Sequence, residues 1–67
     1  MFSVYVYYPN GDSDFVGIAH SMSEAEKVAW DHCACTITDI DRYEIKSVDI
    51  TTGPTVKTMR LAVPNGR

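Results

Sequence analysis

The chain has 67 residues and a formal net charge of −3, with 45% hydrophobic and 22% charged residues. This composition excludes a disordered chain, and the length predicts a single domain over residues 1–67 with little interior to enclose an active site. Direct nucleic-acid binding usually involves a basic stripe and a pI above about 9, and a sequence pI near 5.0 argues against it.

The first residues contain neither a basic leader nor an apolar run near the ~20 residues of a membrane span, so we expect a cytosolic protein. The two cysteines are one residue apart and could close only a small, strained ring, so we expect reduced thiols.

The N-terminal sequence predicts a β-hairpin. Residues 2 to 8, FSVYVYY, are rich in β-branched and aromatic residues and predict a strand. One face of this strand would consist of Phe2, Val4, Val6 and Tyr8. Pro9-Asn10-Gly11-Asp12 predicts a chain reversal, and residues 14 to 20, DFVGIAH, predict the return strand.

A helix is predicted to follow. Either Ser21 with Glu24 or Ser23 with Glu26 has the spacing of a capping box. At 100° per residue, the next residues form an amphipathic helix of about four turns with Val28 at the edge of its apolar face. That face would consist of Met22, Ala25, Ala29, His32 and Cys33.

The stretch WDHCAC, residues 30 to 35, combines an imidazole, a carboxylate and two thiols. Cys33 and Cys35 lie about 200° apart around a helix, so both cannot face one metal ion while the helix persists. We therefore predict that Cys33 is a core residue, that Cys35 belongs to the last turn, and that the protein has no metal and no cofactor. The alternative is a metal or thiol module that uses His32, Cys33, Cys35 and His20.

The rest of the chain predicts two further strands. Residues 36 to 41 predict a connection, and residues 43 to 50 predict a third strand. The apolar residues of that strand switch from odd to even positions, which indicates a bulge near Lys46-Ser47 or burial on both faces. Residues 51 to 54 predict a turn, residues 55 to 63 a fourth strand, and the tail PNGR a loose end. The order ββαββ predicts an α+β fold in which one helix packs on one face of an antiparallel three- or four-stranded sheet, with the third strand beside the first.

No sequence motif for nucleotide binding, phosphate binding, metal binding or nucleophilic catalysis is present, so we expect a protein that is not an enzyme. Four tyrosines could form a base-stacking platform, but we favour cross-strand packing for them because a basic groove is missing. These are Tyr5, Tyr7, Tyr8 and Tyr43.

Exposed acids and one tryptophan are the candidate partner-binding residues. Separated carboxylates on a rigid surface can imitate nucleic-acid phosphates and occupy a basic groove of another protein, and tryptophan is enriched among interface hot spots. The acids could instead be ordinary surface charges that keep the protein soluble. The tryptophan could instead pack over the edge of the sheet. The candidates are Asp12, Asp14, Glu24, Trp30, Asp31, Asp39 and Asp41.

The run VGIAHSMSEAEKVAW, a strand that passes through Ser21 into a helix after a hairpin, resembles small ββαβ proteins that bacteriophages and mobile elements use against host machinery. These include anti-CRISPR proteins and phage inhibitors of host RNA polymerase, and the resemblance covers residues 2 to 50. It implies a cofactor-free protein inhibitor, in the host cytoplasm, of a nucleic-acid-handling complex such as a CRISPR effector or RNA polymerase. It assigns no functional residue, because these proteins share no common motif.

Together these features predict a non-enzymatic inhibitor, a monomer or homodimer, whose acidic surface mimics DNA and blocks the nucleic-acid-binding site of a host complex. A metal or thiol module and an oligomerisation module remain as alternatives.

Overall fold

The fold is α+β. In the computed structural model, which describes residues 1–47 and 54–61, the elements follow the predicted order ββαββ. They are strand β1 (Phe2–Tyr7), strand β2 (Ser13–Ala19), helix α1 (Met22–Cys35), strand β3 (Arg42–Lys46) and strand β4 (Thr55–Met59). All four described strands pair antiparallel in the spatial order β2-β1-β3-β4, so the third strand does lie beside the first.

Helix α1 packs on one face of the sheet, mainly over β2 and β1. Its buried residues are Ala25, Ala29 and Cys33, which are small and let the helix lie close to the strands. Gly17 of β2 lies beneath the helix, and a Cβ atom there would lie 3.4 Å from Cγ1 of Val28, at the limit of ordinary van der Waals contact. The sheet side of this core is formed by Val4, Val6, Ala19, Tyr43, Ile45 and Met59.

Of the two predicted capping boxes, the structure contains the one formed by Ser21 and Glu24. Ser21 has extended backbone, and its hydroxyl accepts a hydrogen bond from the Glu24 backbone N–H at 3.2 Å. The Glu24 carboxylate accepts from the His20 backbone N–H at 2.9 Å, one residue before the usual target of this motif. Ser23 is instead an exposed residue of the first helical turn.

Both edge strands contain irregular pairing. Val4 pairs with Gly17 and Tyr5 with Phe15, so Val16 is an extra residue in β2. The register between β3 and β4 shifts between Ile45 and Lys46, next to the bulge predicted near Lys46-Ser47. Ile45 and Lys46 are both buried, although their side chains point to opposite faces of the sheet. β3 ends at Lys46 and β4 at Met59, so both strands are shorter than predicted: Ser47 lies outside the third strand, and Arg60 and Leu61 lie outside the fourth. Residues 48–53 and 62–67, which include most of the predicted turn and the whole tail, lie outside the described residues.

The cap assignment gives a test with a matched control. Ser21→Ala should lower the free energy of unfolding by about 1 kcal/mol, because the backbone N–H of Glu24 loses its acceptor. Ser23→Ala should change it by less than about 0.5 kcal/mol, since that side chain is exposed within the helix. Urea unfolding followed by circular dichroism measures both, and equal losses would contradict the assignment.

Candidate functional site

The sulfur atoms of α1 point in different directions. Cys33 is only 1% exposed and belongs to the core, whereas Cys35 is exposed in the last turn, as predicted. His32 is half-buried, and its Nδ1 atom forms a 2.6 Å hydrogen bond with the Tyr43 hydroxyl. Within residues 1–47 and 54–61, no three His, Cys, Asp or Glu side chains are grouped closely enough to hold a metal ion.

The His32–Tyr43 bond belongs to the helix–sheet interface. Tyr43 is fully buried, and its ring meets the His32 ring edge-on at 5.6 Å between centroids. Burial first, and then the neighbouring Cys33, raises the pKa of the Tyr43 phenol. The tyrosine is therefore a neutral hydrogen-bonding group that holds the end of α1 against β3.

The four tyrosines do not form one platform. Tyr8 and Tyr43 contact the core beneath α1, whereas Tyr5 and Tyr7 lie on the opposite face of the sheet. Tyr5 is only 4% exposed, and the Arg42 guanidinium covers the Tyr7 ring at 4.3 Å from its centroid. This arrangement agrees with the packing interpretation of the tyrosines.

Charged residues on the face opposite the helix neutralise one another. Partial burial acts to raise the pKa of Glu44, but hydrogen bonds from Thr55, Arg42 and Lys46 outweigh it and lower that pKa to about 2. The carboxylate accepts from Arg42 Nε at 2.7 Å and from Lys46 Nζ at 3.1 Å. A negative charge is thus stabilised between two positive ones.

Other ion pairs neutralise Lys57 of β4 and Arg60, which follows that strand. Lys57 bonds to Glu26 of α1 at 2.6 Å, and Asp41 lies 2.6 Å from Arg42 and 3.8 Å from Arg60. Among residues 1–47 and 54–61, Lys27 is the only lysine or arginine outside an ion pair. The described residues of β3 and β4 therefore present little uncompensated positive charge.

Four predicted candidates form what we call the acidic edge: Asp12, Asp14, Glu24 and Asp31. All four are exposed, and within the described part of the chain none of them takes part in an ion pair. Asp12 lies in the β1–β2 turn and Asp14 in β2, which is an edge strand. Glu24 and Asp31 lie two turns apart on α1, on the outer side next to Val28, which faces β2.

The other candidates lie elsewhere. Asp41 is paired with Arg42, and Asp39 lies in the loop between α1 and β3. Trp30 is 56% exposed and follows Glu26 by four residues, so it lies on the β4 side of the helix, away from the acidic edge. The predicted set is therefore not one continuous surface.

A groove that the sequence interpretation missed lies where the β1–β2 turn meets the α1–β3 loop. Its lining residues are Tyr8, Pro9, Asn10, Thr38 and Asp39. The signal that could have found it is the predicted pairing of the third strand with the first, because that pairing brings both loops to one end of the sheet.

Comparisons with protein-family models, with curated proteins and with solved structures give no match to this chain. Within residues 1–47 and 54–61, no helix is both long enough and apolar enough to cross a membrane.

The charge network at Glu44 predicts how stability depends on pH. The pKa of Glu44 falls from 4.5 to about 2 on folding, so its ionised form stabilises the fold above pH 4.5, and this contribution disappears as the pH falls toward 2. Glu44→Gln should therefore lower the free energy of unfolding at pH 7 by on the order of 2–3 kcal/mol, with a difference from wild type that approaches zero near pH 2.

Urea unfolding between pH 7 and pH 2.5 measures this difference. Thr58→Ala is the control, because Thr58 pairs with Glu44 in the sheet and does not titrate, so its effect should be the same at every pH. A Glu44→Gln effect that stays constant with pH would mean that the ionised carboxylate does not stabilise the fold.

Proposed function

We propose that this chain is a non-enzymatic binding protein whose acidic edge docks on a basic surface of a partner protein. The observation that carries this proposal is the unequal distribution of ion pairs. Acids near β3 and β4 are used in pairs with lysine and arginine, whereas Asp12, Asp14, Glu24 and Asp31 are exposed and outside any ion pair in the described part of the chain.

A protein with a basic groove fits this surface better than a nucleic acid does. Carboxylates on an edge strand and a packed helix are held by a rigid scaffold, as phosphates are held by a duplex. Nucleic acid would be repelled by the same charges. The absence of a catalytic motif from the sequence favours an action by binding alone.

The specific form that we propose is a phage or mobile-element inhibitor of the anti-CRISPR type, which blocks the nucleic-acid-binding site of a host effector complex. This form is supported by the small size of the domain, by the resemblance of residues 2 to 50, and by residues 1 to 35, which contain five acids and one lysine. Inhibition of host RNA polymerase is the alternative form, and it would use the same edge on the same kind of basic groove.

A gel-shift experiment tests both forms. Purified CRISPR effector complexes and RNA polymerase are incubated with labelled target DNA and increasing amounts of this protein. We expect the protein to release DNA from one of these complexes at stoichiometric concentration, with weaker inhibition at higher salt because the contact is electrostatic. If DNA binding by every complex is unchanged, the inhibitor proposal is wrong.

A charge-matched pair of variants tests whether the acidic edge is responsible. The first variant neutralises the edge through four substitutions, Asp12→Asn, Asp14→Asn, Glu24→Gln and Asp31→Asn. The second adds the same charge to exposed positions around β4, as Ser47→Lys, Pro54→Lys, Val56→Lys and Thr58→Lys. The first should weaken partner binding by at least about tenfold, equivalent to ~1.4 kcal/mol, and the second should weaken it much less. Equal effects would show that net charge alone, and not this edge, governs binding.

A further inference from the structure

Strand β2 forms one edge of the sheet, because it pairs with β1 on one side and with no described strand on the other. We propose that an extended segment of the partner protein, in which lysine or arginine alternates with apolar residues, adds to this edge as an antiparallel strand. This inference rests on the proposed function, because it names the element of a basic partner that contacts the acidic edge.

Alternate residues of β2 direct their backbone N–H and C=O groups toward the free edge. The Tyr8 N–H donates to the Asp12 carbonyl at 2.9 Å, so the backbone of Asp12 faces β1. Bonding direction alternates along an antiparallel strand, so Asp14 also faces β1, whereas Ser13 and Phe15 face outward. Two donors and two acceptors are therefore available to another strand, as is usual for an edge.

The bulge in β2 leaves the first part of the strand regular. Ser13, Asp14 and Phe15 pair in register with β1, and the register shifts only beyond Phe15, where Val16 is the extra residue. Residues 13–15 therefore keep the two-residue spacing of outward groups that a partner strand matches. Because a bulge disrupts regular pairing, we place the added strand on this part of β2.

The face of this edge opposite the helix is apolar. Phe15 pairs with Tyr5, and their rings meet edge-on at 5.5 Å between centroids. Ile18, beyond the bulge, pairs with Ser3 and lies on the same face. Phe15 and Ile18 are 52% and 43% exposed, so apolar side chains of an added strand would cover surface that now contacts water.

The helix side of the same edge is acidic. Asp14 pairs with Val6, a core residue, so its side chain points to the side on which α1 lies. Its Oδ2 atom accepts from the Tyr8 hydroxyl at 2.9 Å, but the side chain is exposed, and a carboxylate has about four acceptor positions. A lysine or arginine directly opposite Asp14 in the added strand therefore forms a cross-strand ion pair.

Charge favours a basic segment of a partner over a second copy of this chain. Pairing of β2 with β2 of another copy would bring two acidic edges together, and like charges oppose strand pairing. The other described edge strand, β4, contains Lys57, but this lysine is bonded to Glu26 at 2.6 Å. A segment with its own unpaired cations, alternating with apolar residues, matches both faces of the β2 edge.

A short peptide of alternating lysine and valine, blocked at both ends, tests the proposal without any partner protein. The ¹⁵N-labelled full chain is titrated with it, and amide hydrogen exchange is followed by NMR. Saturating peptide should slow exchange at Ser13 and Phe15 at least about tenfold and leave Asp14 little changed, because only the outward N–H groups gain acceptors. Unchanged exchange at Ser13 and Phe15 would overturn the proposal.

A peptide of the same composition, with its lysines in one block and its valines in another, tests the alternation. It has the same charge but cannot place cations and apolar side chains on opposite faces of a strand. We expect it to bind at least about tenfold more weakly. Equal affinity of the two peptides would mean that charge alone draws the peptide to the protein, and strand addition would be rejected.

N-methylation of alternate peptide nitrogens identifies the backbone contact. In antiparallel pairing the valines lie opposite Ser13 and Phe15, so the valine N–H groups point to β2 and the lysine N–H groups point away. Methyl groups on the valine nitrogens should weaken binding at least about tenfold, whereas methyl groups on the lysine nitrogens should weaken it much less. Equal losses would contradict antiparallel pairing at this edge.

A charge-matched pair of variants tests the cross-strand ion pair. Asp14→Asn keeps an oxygen acceptor for the Tyr8 hydroxyl and should weaken binding of the alternating peptide at least about threefold. Thr58→Lys makes the same change in net charge at an exposed position of β4 and should weaken it much less. If the two variants have the same effect, the lysines of the peptide do not pair with Asp14.

The outcomes also separate this inference from the proposed function. Protection of Ser13 and Phe15 by the alternating peptide, together with unchanged DNA binding by all host complexes, would support strand addition and reject the inhibitor function. Release of DNA that depends on the acidic edge, together with no protection of these amides by the peptide, would reject strand addition alone.

Discussion

Helix α1 lies close to β1 and β2 because the residues on its inner face are small. Ala25, Ala29 and Cys33 are buried there, and Gly17 gives Val28 room above β2. This contact sets the rotation of the helix about its axis, since burying these residues turns Glu24 and Asp31 outward. The distribution of charge, the divergence of the two thiols and the proposed docking edge all depend on it.

The rotation of α1 also decides which charges are neutralised. Glu26 faces β4 and reaches Lys57, so one helical acid is used in an ion pair with the sheet. Such a pair near the surface contributes little to stability, but it removes a positive charge from that side of the molecule. With the network around Glu44, it leaves the described cations of β3 and β4 in ion pairs, whereas β2 and α1 have three exposed acids outside such pairs, Asp14, Glu24 and Asp31, against the unpaired Lys27.

Features with local sequence signals could be predicted. The hairpin follows from Asn10-Gly11, the approximate helix start from the two capping-box spacings, and the core positions of α1 from the spacing of Ala25 and Ala29. The position of the third strand follows from the connection that crosses one face of the sheet. The Glu26–Lys57 pair could not be predicted, because it joins residues far apart in sequence and depends on how the helix and β4 are placed on the sheet. The groove between the β1–β2 turn and the α1–β3 loop was missed although the predicted pairing of the third strand with the first brings both loops to one end of the sheet. The choice between Ser21 and Ser23 as the cap also needed the structure, since both satisfy the spacing.

Thiol labelling tests the rotation of α1 most directly. The native protein is treated with iodoacetamide, and tandem mass spectrometry separates Cys33 from Cys35, which lie on one tryptic peptide between Lys27 and Arg42. We expect rapid alkylation of the exposed Cys35, with alkylation of Cys33 only after urea is added. Equal rates at both thiols in the native protein, or protection of Cys35 instead of Cys33, would contradict the helix orientation on which the acidic edge depends.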